Sequence, residues 1–213
     1  MGIRKEKRRL AISIVAVMLL LSACGKASSN EFKPDASSIY VKRDKTVKSA
    51  LVEQYENEYY SEEELSQFLK DAVLSYNNSV QGEENNPVVL ESCSLADGTA
   101  SAVFAYQSAE DFLKFAEAEQ DTDNLLSEFY VMQVSDGFSA GLILDGTFVK
   151  AKDQKTVDVE KITRQSDLYM VAATGKALIQ TEGKIQYVSE GCEVKDDFTV
   201  QTPNEGRSYI IFK

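Results

Sequence analysis

Short apolar runs separated by polar turns dominate the chain from Ile39 onward, with two stretches where the apolar spacing lengthens to three and four residues. Ile39–Val41 and Val47–Tyr55 read as strands flanking Lys42-Arg43-Asp44-Lys45, a hairpin turn. Between Ser61 and Tyr76 the pattern changes. Leu65, Phe68, Leu69, Ala72, Val73 and Tyr76 recur at helical spacing, which predicts an amphipathic helix with one buried stripe. Ser61 followed by Glu64 forms a capping box, with Tyr60 and Leu65 as a hydrophobic staple around it. Glu62, Glu63 and Glu64 sit where the helix dipole favours negative charge, and Asn77-Asn78 and Gly82 end the helix.

Val88–Leu95 and Ala100–Tyr106 read as a second hairpin, because Asp97-Gly98 supplies the positive φ that such a turn requires. Ser108 and Asp111 cap a second helix with Phe112, Leu113, Phe115 and Ala116 on its apolar face. Thr122–Phe129 reads as a further short helix. Strands are predicted at Tyr130–Val134, Gly141–Leu144, Thr147–Ala151, Leu168–Ala173, Ala177–Thr181, Lys184–Val188, Phe198–Gln201 and Tyr209–Phe212. Asp145-Gly146, Thr174-Gly175 and Glu182-Gly183 supply turns between them. Strands this close, without helices between them, pair mainly antiparallel. The expected class is α+β, a mainly antiparallel sheet with two or three helices concentrated in the first half. Lys152–Arg164 is polar and weakly patterned, so a subdivision of the domain near 151–166 is open.

The N-terminus follows a different rule. Met1–Arg9 is basic, and Leu10–Ala23 is an uncharged, largely apolar run of 14 residues. As a helix that run would span about 21 Å, short of the roughly 30 Å hydrocarbon core, which fits the apolar region of a signal peptide. Leu21-Ser22-Ala23-Cys24 then resembles the lipobox of bacterial lipoproteins. The resemblance implies cleavage between Ala23 and Cys24 and a diacylglyceryl group on the Cys24 sulfur. Two acyl chains give stable anchoring where one gives only marginal binding. The resulting division is a signal peptide at 1–23, a flexible tether at 24–38, and a globular domain at 39–213. The tether is polar, with little to bury except Phe32. The domain is also loosely similar to small surface lipoproteins of Gram-positive bacteria, a likeness that carries no site residues.

Composition narrows the function. Of 213 residues, none is His and none is Trp, which removes every mechanism that needs an imidazole. The chain carries 23 Lys and Arg against 34 Asp and Glu. Outside the first 23 residues there are 18 bases and 33 acids, a net charge of −15. Such a surface repels nucleic acid and anionic polymers and accepts a cationic or neutral partner.

Candidate chemistry is sparse. Gly137-Phe138-Ser139-Ala140-Gly141 matches the GxSxG nucleophile elbow, which needs a strand before it, a helix after it and a His base. No His exists, Leu142-Ile143-Leu144 reads as a strand, and no SxxK spacing offers a Ser–Lys pair, so a glycine-rich turn is the expectation. Asp121 and Asp123 could open a calcium loop, but Leu125 and Leu126 stand where further oxygen ligands belong. Glu62-Glu63-Glu64 is explained by the helix cap. Tyr55, Tyr59 and Tyr60 could form a sugar platform, although packing accounts for Tyr55 and Tyr60. Gly175-Lys176 and Gly183-Lys184 lack the frame of a phosphate loop. No catalytic, cofactor or metal site is therefore assigned. Cys93 and Cys192 remain after Cys24 is given to lipid; in an exported protein they could form a disulfide or stay as separate apolar thiols.

The expected protein is a lipoprotein held on the extracytoplasmic face of the cell membrane by lipid on Cys24. Its expected role is a non-catalytic binding or envelope-interaction module for a protein or glycan partner, with no nucleic acid and no cofactor. Two alternatives stand beside it: an extracytoplasmic, glycosidase-like enzyme using paired carboxylates, and an envelope scaffold or assembly factor.

Overall fold

The computed structural model describes residues 30–55, 61–80, 86–124, 126–142 and 146–213. Two sheets dominate. β1 (Ser38–Val41), β2 (Val47–Gln54), β3 (Val88–Ala96), β4 (Thr99–Tyr106), β9 (Leu178–Thr181), β11 (Glu193–Val194) and β12 (Thr199–Gln201) form the first, in the order β11-β12-β9-β1-β2-β4-β3. β5 (Glu128–Gln133), β6 (Phe148–Lys150), β7 (Thr156–Val157), β8 (Tyr169–Thr174), β10 (Ile185–Ser189) and β13 (Arg207–Phe212) form the second, in the order β5-β8-β13-β10-β6-β7. All pairings are antiparallel except β1 with β9, where Ile39 faces Ile179 in a parallel ladder. The chain after residue 166 supplies strands to both sheets.

Among the described residues there are four helices: α1 (Glu62–Ser79), α2 (Ala109–Ala118), α3 (Val134–Ser139) and α4 (Val159–Thr163). The antiparallel mixed class is as expected, but the helices are spread along the chain rather than gathered in its first half. α3 lies where a glycine-rich turn was expected, and α4 lies inside the weakly patterned Lys152–Arg164 stretch. The helix expected at Thr122–Phe129 is absent: the Asp121 carboxylate accepts the backbone N–H groups of Asp123 and Asn124, and β5 has already begun at Glu128. Gly141 and Leu142 are not in a strand, and 143–145 lie outside the described residues.

Period-two alternation explains how the sheets divide the core. On β8, Val171 and Ala173 face one cluster while Met170 and Ala172 face another. On β13, Ile210 and Phe212 face the first cluster while Tyr209 and Ile211 face the second. The first core joins the facing surfaces of the two sheets with α1 and α2, through Phe104, Tyr106, Phe112, Phe115 and Phe129. The Phe112 ring meets two of the others edge-on, with Tyr106–Phe112 centroids 5.3 Å apart and Phe112–Phe129 centroids 5.4 Å apart. The second core lies on the other face of the second sheet, where Val134 of α3 and Ile162 of α4 cover it.

Both N-caps are in place, but α1 runs on through Asn77 and Asn78, expected to end it, to Ser79. The Ser61 hydroxyl accepts the Glu64 N–H at 3.3 Å, and Ser108 accepts the Asp111 N–H at 3.1 Å. Asp97 and Gly98 both have positive φ, as a tight hairpin demands. Gly183 answers to a different need: a Cβ there would stand 1.5 Å from the Lys213 carbonyl oxygen, so the close approach of the two backbones excludes any side chain.

Candidate functional site

The strand-helix order around Ser139 is not that of a nucleophile elbow. α3 follows β5 directly, and Ser139 stands at the far end of α3 rather than at the turn between them. Its hydroxyl donates to the Ser135 carbonyl one turn back at 3.0 Å. Gly137 is a packing position, since a Cβ there would press on the Met170 and Met132 side chains.

The remaining candidates separate in space. Both Asp121 oxygens are occupied, Oδ1 by the two backbone N–H groups and Oδ2 by the Asn124 amide at 3.3 Å. Asp123 accepts from the Ser37 hydroxyl at 2.7 Å. Among the described residues no three His, Cys, Asp or Glu side chains gather as a metal set would require. Glu62 does more than favour the dipole: its carboxylate accepts the Leu95 N–H at 3.0 Å, while the Asn77 amide holds the Val88 N–H and carbonyl at the other end of β3. α1 thereby shields both ends of an edge strand that would otherwise invite pairing. Tyr55 gives its N–H to the Gly98 carbonyl at 2.8 Å, and Tyr59, Tyr60, Gly82 and Leu125 lie outside the described residues. So do Ala23 and Cys24.

Cys93 and Cys192 are both free thiols. Cys93 lies on β3 at one edge of the seven-stranded sheet, and Cys192 lies beside β11 at the other. Six strand intervals of about 4.8 Å separate those edges along the ladder. A disulfide needs Cα atoms within about 7 Å. Burial pushes the Cys192 thiol up despite its hydrogen bond with Ser208, so it behaves as an inert apolar group.

A surface cleft of about 840 Å³ is lined by Asp158, Glu160, Lys161, Arg164, Gln165 and Tyr187. It holds two carboxylates, but both are exposed, and Glu160 is paired with Arg164 at 3.2 Å.

The feature that sequence reasoning missed is the outer face of α1. Phe68, expected in the buried stripe, is 66% exposed, and Leu74 is 59% exposed. Only Val73 and Tyr76 of this helix are fully buried. The reason is topological. α1 packs mainly along β3, an edge strand, and so has one narrow contact line where a helix over a central strand would have a broad one. Charge surrounds these apolar side chains. Residues 61–124 contain fourteen acids against two bases, Lys70 and Lys114, a net of −12. Outside the first 23 residues the rest of the chain nets −3, so −12 of the −15 belongs to the segment that runs from α1 through β3 and β4 to α2. Lys114 is already engaged by Glu110 at 2.6 Å, and that ammonium holds Glu110 below the usual carboxylate range.

No protein-family model matches this chain, no curated protein matches it, and no solved structure matches its fold.

Proposed function

We propose that the protein is a membrane-anchored extracytoplasmic lipoprotein whose domain is a non-catalytic binding module. One observation carries the anchor: the basic segment, the 14-residue apolar run and Leu21-Ser22-Ala23-Cys24 occur in that order. Cys24 receives the lipid and becomes the first residue of the mature chain. The binding role is supported by the α1 surface, where Phe68 and Leu74 stand exposed on an ordered helix in the acidic segment. Charge complementarity selects a basic, partly apolar protein segment as the partner. Long-range attraction brings it in, and the apolar side chains contribute the close contact.

Cys24→Ala tests the anchor. The variant is expected to lose acyl-chain label and to appear as an uncleaved or soluble product on fractionation. Unchanged label and membrane retention in the variant would sink the assignment. The binding face is tested with a synthetic amphipathic Lys/Leu peptide. Its affinity should fall steeply with salt and drop about tenfold in Phe68→Ser/Leu74→Ser, a loss of about 1.4 kcal/mol. Salt-independent affinity, or no loss in the double variant, would remove the α1 face from consideration.

A further inference from the structure

We propose that a groove on the outer face of the first sheet, walled on one side by residues 33–35, is a second binding site, and that it takes a neutral saccharide. The proposal depends neither on the α1 face nor on the lipid at Cys24.

Strand register builds the floor. Ile39, Ile179 and Val200 belong to the first core. Period-two alternation therefore turns Ser38, Tyr40, Leu178, Gln180 and Thr199 to the opposite face of the sheet. Tyr40 of β1 lies across from Gln180 of β9, and Gln180 lies across from Thr199 of β12, so the three form one row across neighbouring strands. Such a face of an antiparallel sheet can stand in solvent. Ser38 and Tyr40 are nevertheless buried, so part of this face is covered.

The cover is the segment before β1. Residues 30–37, part of the stretch expected as a flexible tether, are fastened to the sheet at both ends. The Asn30 N–H donates to the Glu182 carbonyl at 3.1 Å, and the Tyr40 hydroxyl donates to the Asn30 carbonyl. Phe32 stacks on Tyr40 with ring centroids 5.1 Å apart. At the other end the Ser37 hydroxyl accepts the Val52 N–H at 2.9 Å. Between these clamps Lys33, Pro34 and Asp35 stand as one wall of a groove of about 360 Å³. Leu178, Gln180 and Thr199 line its floor, and Lys195 and Asp196, in the turn between β11 and β12, line the other side. The groove is complete only while the strap is docked.

The lining selects the ligand. Its two Lys and two Asp cancel, and the net charge of −15 outside the first 23 residues turns away a polyanion. The charges are also engaged within the chain: Lys33 pairs with Glu31 at 2.8 Å, Lys195 pairs with Glu193 at 2.7 Å, and Asp196 accepts the Phe198 N–H at 2.7 Å. The uncharged polar groups of the floor are the half-buried Gln180 amide and Thr199 hydroxyl. Both can donate and accept, which matches the paired donor and acceptor character of sugar hydroxyls. Leu178 and Pro34 offer apolar surface to the C–H face of a ring. The volume lies at the small end of ligand pockets.

The test applies the full chain, in a zwitterionic detergent free of sugar, to an array of neutral, phosphorylated and sulfated oligosaccharides, with titration of the bound members by calorimetry. Binding is expected for neutral members only. It should weaken about tenfold in Gln180→Ala/Thr199→Val, and several-fold in Phe32→Ala, which loosens the strap and leaves the floor intact. The bound saccharide should slow amide exchange in residues 33–38 and 195–201 and leave α1 unchanged. No binding of any neutral member at millimolar concentration overturns the proposal. So do preference for the charged members, unchanged affinity in either variant, and an exchange footprint on α1. If a variant fails to fold in urea melts, the footprint on the unaltered chain decides.

Discussion

β13 and β3 are both strands in the same chain, yet they live in different physical worlds. β13 lies inside its sheet between β8 and β10, and its last five residues are buried, with side chains entering two cores on opposite faces. β3 is an edge strand in which only Val88 is fully buried, and it is guarded by a helix that leaves Phe68 and Leu74 exposed to solvent. The comparison teaches where stability and interaction separate. Strands that bury both faces set the free energy of unfolding, while an element packed along one line can expose apolar groups at little cost. Local opening should accordingly begin at α1 and β3.

The sharpest way to break this comparison is a pair of Phe substitutions, one from each world. Phe112 is fully buried among Tyr106, Phe129 and the rest of the first core. Phe112→Ala is expected to cost about 3–5 kcal/mol in urea melts. Gly183→Ala comes next, at about 1–3 kcal/mol, because the new methyl must displace the Lys213 backbone. A melt unchanged by Gly183→Ala would show that the two backbones separate freely.

The third expectation concerns pH. Burial pushes Glu182 up, but the Arg43 guanidinium at 3.1 Å and the Arg43 N–H at 3.0 Å outweigh it and hold the carboxyl below its ordinary value. A carboxyl lowered on folding contributes stability in full above its unfolded pKa of about 4.3 and loses that contribution as pH falls through its folded value. Stability should therefore decline below about pH 4.3, and Glu182→Gln should flatten the decline. An identical slope in the variant would show that the clamp is not coupled to folding.

The two smallest effects sharpen the edge side of the comparison. The buried Tyr76 hydroxyl has no hydrogen-bond partner among the described residues. Tyr76→Phe removes a desolvated polar group and is expected to leave stability unchanged or raise it by about 1 kcal/mol. Phe68→Ala should change stability by less than about 0.5 kcal/mol, as exposed positions do. If Phe68→Ala approached the cost of Phe112→Ala, the outer face of α1 would be packed against something, and its availability to a partner would be lost.

Local chemistry was legible where the cause was local. Ser61 with Glu64, Ser108 with Asp111, and Asp97-Gly98 each encode a hydrogen bond or a backbone angle within four residues, and each is found in place. The strands at Leu168–Ala173, Ala177–Thr181 and Lys184–Val188 were also readable from their composition, but their partners were not. Succession suggested hairpins, yet β8 and β10 belong to one sheet and β9 to the other, where it pairs in parallel with β1.

The sequence alone determined the N-caps at Ser61 and Ser108, the Asp97-Gly98 turn, the helical period of α1 and α2, the overall acidity, and the signal-like order of the first 24 residues. All of these are written in neighbours along the chain or in plain counts. Only the tertiary structure decided that Phe68 faces water, that Cys93 and Cys192 stand at opposite edges of one sheet, and that residues 30–37 are fastened to the domain. Helical spacing marks a side chain as apolar without saying whether the strand beneath it is central or at an edge. Two cysteines 99 positions apart carry no distance until strand order assigns one. Phe32 has nothing nearby in sequence to bury it; Tyr40, brought alongside by the return of the chain onto the sheet, supplies the surface.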